Sequence, residues 1–141
     1  MSQEERNTAL LREAYRLWAD SKGASADHWL ALMAGGEIAF GSLAQGRVNA
    51  VAFTQQRHSR EGVADYLRGL VEDWEMIDYC VDHLVAQGDR VVALARTSWR
   101  CMATDKVVDT PKVDSWRFDA DGRIVEFFEY YDTAAMFEAA R

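Results

Sequence analysis

Basic clusters, histidine, cysteine and long apolar runs are all scarce in this 141-residue chain. Lys and Arg total 16 against 23 Asp and Glu, which gives a formal net charge of −7. No Lys/Arg-rich run supplies a phosphate footprint, so nucleic acid is not an expected partner. The three histidines stand at 28, 58 and 83. They share no ligand spacing, so no metal site is expected. No Gly-rich phosphate loop, nucleotide motif or Ser-His-Asp set occurs, and no cofactor is expected. The two cysteines, Cys80 and Cys101, fall inside predicted strands. They read as reduced core thiols, with a disulfide or a catalytic thiol as the alternatives. No apolar run approaches the roughly 18 residues of a membrane span, so no membrane association is expected. The opening Met-Ser-Gln-Glu-Glu-Arg lacks the pattern of a signal peptide. A reducing cytoplasmic setting is the expected one.

Apolar side chains are abundant. They make up 49% of residues, with five Trp, five Tyr and six Phe. That suffices for one core and for a cavity or a partner surface, and one domain spanning residues 1–141 is expected. Residues 5–20 read as a helix, because Leu11, Ala14, Tyr15 and Trp18 recur at i, i+3, i+4, i+7. Ser25 or Asp27 can cap a short second helix that stops at Gly35-Gly36. Residues 37–43 read as a short strand and 44–57 as a loop. Val63, Tyr66, Leu67, Leu70, Val71 and Trp74 mark a third helix over 60–74, with Ser59 as its cap.

The remainder is β. Strand 76–86 turns at Gly88-Asp89 into strand 90–102, which turns at 103–106 into strand 107–118. The only proline, Pro111, predicts a bulge or an edge position in that third long stretch. The Asp119–Gly122 turn closes a last hairpin, and a short helical tail ends at Arg141. The fold class is therefore α+β, with three helices packed on one face of a curved, mostly antiparallel sheet that encloses a pocket.

The last hairpin carries the most information. Period-2 geometry puts Asp114 beside Trp116 and Phe118, and Glu129 beside Phe127 and Tyr131. An acid thus sits on an apolar face of each strand. Val92, Leu94, Arg96, Ser98 and Arg100 share one face of the preceding strand. If that face joins the one carrying Asp114 and Glu129, an arginine lies between two acids among aromatics. Such a set can pair its charges and leave one acid suited to proton transfer.

This element order resembles the NTF2-like superfamily. So do Gly-Asp-Arg-Val-Val at 88–92 and the tail Asp-Gly-Arg-Ile-Val-Glu-Phe-Phe-Glu-Tyr-Tyr-Asp. More narrowly the chain is similar to the SnoaL-like group of polyketide cyclases, ketosteroid isomerases and limonene-epoxide hydrolases. The resemblance implies a cone-shaped fold and cofactor-independent acid–base chemistry on a small, apolar, oxygen-bearing molecule. Against the isomerases it places Tyr15 and Asp114 at the oxyanion positions, while Phe40-Gly41-Ser42 holds no carboxylate where the general base belongs. Against the hydrolases it places Arg96 and Glu129 at the arginine and acid–base positions. Ser98 stands where the second aspartate belongs, and Ala39 and Gly41 where a tyrosine and an asparagine belong.

The candidate catalytic residues are Arg96, Glu129, Asp114 and Tyr15, with Trp18, Trp116, Phe127 and His83 as pocket walls. Plainer readings stand beside these. Arg96 and Glu129 can be a cross-strand ion pair, Asp114 a solvated acid near Pro111, and Tyr15 a core tyrosine. His83 can be a structural histidine that shares a face with Tyr79, Val81 and Val85. A non-catalytic ligand-binding or interaction module on the same scaffold is the alternative function, and a small β-type subunit of a larger oxygenase is a third. Ile124, Glu126, Phe128 and Tyr130 lie on the opposite face of the last strand. A sheet face this apolar, with no helix left to cover it, implies a twofold homodimer through Phe128 and Tyr130.

Overall fold

The computed structural model describes residues 1–141. Helix α1 spans Gln3–Asp20 and is capped by Ser2, whose hydroxyl accepts from the Glu5 amide. It buries Leu11, Ala14, Tyr15 and Trp18 along one stripe. Gly23, at φ +76°, turns the chain out of the helix. Helix α2 covers Asp27–Leu32 and strand β1 covers Ala39–Ser42. Helix α3 spans Arg60–Asp73, capped by Ser59, and buries Val63, Tyr66 and Leu67. Trp74 does not extend that helix as the spacing suggested. It opens strand β2, Trp74–Gln87.

Strands β3 (Arg90–Cys101), β4 (Val107–Phe118) and β5 (Ile124–Tyr131) complete the meander, and helix α4 (Thr133–Ala139) closes the chain. The sheet order is β1-β5-β4-β3-β2. All neighbours pair antiparallel except β1, which runs parallel to β5. The helices and the concave face of the sheet share one cluster of 29 buried apolar residues. No helix is long and apolar enough to cross a membrane.

Two local expectations are corrected, and one is narrowed to a single alternative. The stretch 44–57 is not simply a loop: Asn49–Thr54 forms a 3₁₀ helix with Val51, Phe53 and Thr54 buried. It docks tightly on α3, where a Cβ at Gly69 would come within 2.5 Å of Phe53 Cβ. Pro111 takes the edge position, one of its two expected settings, without a bulge. It pairs with Arg96 in continuous register, but pairing of β4 with β5 begins only at Lys112. The missing N–H therefore falls where β5 has already ended. Ile124 does not share the outer face of β5. A register shift between Arg117 and Phe118 pairs Ile124 with Phe118, and Ile124 is fully buried.

Candidate active site

The helices and the sheet enclose a cavity of about 110 Å³, lined by 23 residues of which 17 are hydrophobic. One water needs only ~10–15 Å³ of such space, so the void admits a small organic molecule. All five tryptophans of the chain, Trp18, Trp29, Trp74, Trp99 and Trp116, contribute to its wall. Trp29 stacks on Trp116 with centroids 5.0 Å apart, and Phe40 stacks on Phe127 at 4.4 Å.

One end of this apolar chamber is polar. The register aligns Asp114 with Glu129 and Lys112 with Tyr131 across β4 and β5, and the inner face of β4 reads Lys112, Asp114, Trp116, Phe118. Lys112 Nζ lies 3.0 Å from Asp114 Oδ1 and 2.9 Å from Glu129 Oε2, and it donates to the Tyr79 hydroxyl at 2.8 Å. The Asp114 Oδ1 contact is close enough for ion pairing but is not aligned as a hydrogen bond, so that oxygen has no hydrogen-bond partner. The other oxygen, Oδ2, accepts from Tyr15 at 2.5 Å and from Tyr79 at 2.8 Å. Tyr15 in turn accepts from the Trp116 indole at 2.8 Å. Glu129 accepts from the Tyr66 hydroxyl, supplied by α3.

Burial sorts these groups by depth. The Asp114 side chain is 1% exposed, whereas Lys112 and Glu129 are each 12% exposed. Burial and the neighbouring Asp114 push the Tyr15 and Tyr79 phenols well above their ordinary range. Burial and Glu129 do the same to Tyr66. Burial by itself would pull the Lys112 amine down, but Asp114 and Glu129 outweigh it and hold the ammonium form well above the usual lysine value. At neutral pH the site therefore contains one ammonium, two carboxyl groups and four phenols, three of which donate to those carboxyl groups. Lys112 is the only basic side chain on the cavity wall.

The family model for the SnoaL-like domain matches residues 12–127. The chain belongs to the SnoaL-like family. Its fold is that of an NTF2-like protein of unknown function from Burkholderia pseudomallei, at 22% identity and a TM-score of 0.80, covering 99% of this chain and 98% of that one. A candidate SnoaL-like polyketide cyclase from Jannaschia sp. CCS1 superposes with a TM-score of 0.76 at 21% identity, over 99% and 94% of the two chains. TerC, crystallised with polyporic acid, does so at 0.75 and 17% identity, over 94% and 96%. No match was found among curated proteins.

In this SnoaL-like domain Tyr15, Asp114, Glu129, Trp18, Trp116 and Phe127 all line the cavity. Arg96 does not. Strand β3 presents Val91, Ala93, Ala95, Thr97 and Trp99 to the core, and Ala93 is the residue paired with Asp114. Arg96 is therefore on the outer face, 63% exposed, where it pairs with Asp82 at 2.9 Å. The expected Arg96–Glu129 pair does not form, and Lys112 occupies the place read for the arginine. His83 is also outside. A bulge between Val81 and His83 shifts the alternation by one, so Tyr79 and Val81 face inward while His83 is exposed opposite Leu94. Asp114 is not solvated near Pro111, since it is among the most buried side chains.

Sequence reasoning missed Lys112, Tyr79 and Tyr66. Lys112 was signalled by the same alternation that selected Asp114, two residues earlier on the same face. Tyr66 looked like one more apolar-stripe residue, because spacing places a side chain without showing where its hydroxyl ends.

Proposed function

We propose that this SnoaL-like domain is a small-molecule enzyme that carries out cofactor-independent acid–base chemistry of the isomerase or cyclase type on an apolar, oxygen-bearing compound. The observation that carries the reading is Lys112 held between Asp114 and Glu129 at the end of an otherwise aromatic chamber. Burying these charges costs several kcal/mol per ion before pairing, and apolar residues of similar volume often serve stability as well or better. A built polar end of this kind therefore favours chemistry over scaffolding.

In this reading Glu129, the more open acid, takes a proton from the substrate. The substrate oxygen acquires the negative charge that Glu129 has given up. Lys112, already beside Glu129, stabilises that oxyanion with little movement. Tyr66 orients the Glu129 carboxylate, and the aromatic walls exclude water. Acid–base catalysis of this sort supplies ~10²–10⁴ in rate. Support at the level of fold comes from structural neighbours that include candidate isomerases from Rhodopseudomonas palustris and Bacillus subtilis.

The test is proton exchange. A panel of small cyclic ketones and 1,3-diketones is incubated with the protein in D₂O, and deuterium uptake beside the carbonyl is followed by NMR. Glu129→Gln should reduce the enzyme-dependent rate by ~10² or more with the melting temperature nearly unchanged. Equal rates in the variant, or no acceleration by the wild type, would remove the reading. A second reading, a non-catalytic binding module, is favoured by one observation: the Tyr15, Tyr66 and Tyr79 protons all point at protein carboxylates. Ligand binding without exchange would select it.

A further inference from the structure

The polar end of the cavity contains two carboxyl groups and a single cation. No arginine, histidine or second lysine lines the wall to correct that balance. Lys112 is in contact with both acids and has one aligned hydrogen bond to Tyr79, so it offers no uncompensated positive charge to an incoming anion. Three of the four phenols on the wall also direct their protons at acids, Tyr15 and Tyr79 at Asp114 and Tyr66 at Glu129, while the fourth, Tyr131, has its hydroxyl engaged by Ser42 and the Ala44 amide. The aromatic walls act in the same direction. Ring faces carry negative potential and attract cations, and Lys112 Nζ itself lies 5.0 Å from the Tyr79 centroid and 5.8 Å from that of Phe127. An anion entering this chamber would lose its hydration and meet a carboxylate and ring faces in return.

We propose that the cavity selects by charge, admitting uncharged or cationic small molecules and rejecting anions. This deepens, and rests on, the acid–base reading of the same site. The substrate is then a free neutral or amine-bearing compound rather than a carboxylate, a phosphate ester or an anionic carrier conjugate. Any step that supplies it must leave the anionic group off or remove it.

The test uses three probes of one shape: 4-methylbenzyl alcohol, 4-methylbenzylamine and 4-methylbenzoate, each titrated into the full-length protein by calorimetry at neutral pH and low salt. The benzoate should bind about 100-fold more weakly than the alcohol, the order expected for a like charge roughly 6 Å from a partly buried one. The amine arm separates the two permitted classes: binding at or above the alcohol extends the selection to cations. Glu129→Gln, which removes the excess charge, should narrow the alcohol-to-benzoate ratio at least tenfold with unchanged melting temperature. Benzoate binding as tight as the alcohol, or a ratio untouched by Glu129→Gln, overturns the proposal. Charge selection without proton exchange would refute the catalytic reading and leave this one standing. Exchange without charge selection would do the reverse.

Discussion

Replacing Lys112 by Met preserves much of the side chain's volume and removes its charge, leaving Asp114 and Glu129 facing one another without the ammonium that lies 3.0 and 2.9 Å from them. Deleting one partner of a buried ion pair typically costs about 3–5 kcal/mol, because the remaining charge is left uncompensated. Two residual interactions moderate the loss here. Asp114 keeps its bonds from Tyr15 and Tyr79, and Glu129 keeps its bond from Tyr66. Two carboxylates in one low-dielectric pocket act the other way, so the middle of the range is the working value, about 4 kcal/mol. With an unfolding entropy near 0.3 kcal/mol per degree for a chain this long, the melting temperature should fall by roughly 13 °C. Scanning calorimetry with urea unfolding measures both quantities. Adding Glu129→Gln to Lys112→Met removes the second charge and should restore at least half of the loss. A fall of under about 3 °C in the single variant, or no recovery in the double, would mean that the three groups are not an energetic unit.

Three further outcomes follow from the same geometry. Arg96→Ala should leave the melting temperature nearly unchanged and proton exchange intact, because its pair with Asp82 is an exposed surface pair. The Lys112 amine is raised in the folded state, so its contribution is complete below the ordinary lysine value near 10.4 and is lost as pH climbs through the higher folded value. Urea unfolding of the wild type and Lys112→Met should therefore differ at pH 7 to 9 and converge only in strong alkali. Finally, we propose that the outer sheet face dimerises about Phe128 and Tyr130, whose rings lie 4.9 Å apart, with Tyr130 46% exposed. Light scattering at micromolar concentration should give twice the mass of 16.0 kDa, and Tyr130→Glu should return the monomer.

Fold and site were legible in the sequence to different depths. Helices α1 and α3 and the hairpins could be read because 3/4 spacing, the Ser59 cap and glycine turns are local signals, whereas neither Ser25 nor Asp27 caps α2, which follows Ala26 without a side-chain bond. The parallel pairing of β1 with β5 could not, since nothing local distinguishes it. Faces within a strand were legible wherever alternation ran unbroken, as from Lys112 to Phe118. They failed at the bulge before His83 and at the shift just after Ile124, where one extra residue exchanges the two sides of the sheet. Arg96 was misplaced for another reason. Its face was read correctly along β3, but which face of β3 meets Asp114 depends on inter-strand register. That register is set by pairing with β4 and not by β3 itself.

The gathering of every tryptophan around one chamber makes the protein its own optical probe. Tryptophan emission from this chain originates solely from rings that border the void, with no tryptophan on the outer sheet to dilute it. A guest that enters, a lysine that loses its proton or a wall that loosens must therefore register in the whole of the signal. Dimerisation on the far side of the sheet should leave that signal dark to the event. One unlabelled sample can thus distinguish what happens inside the cone from what happens behind it.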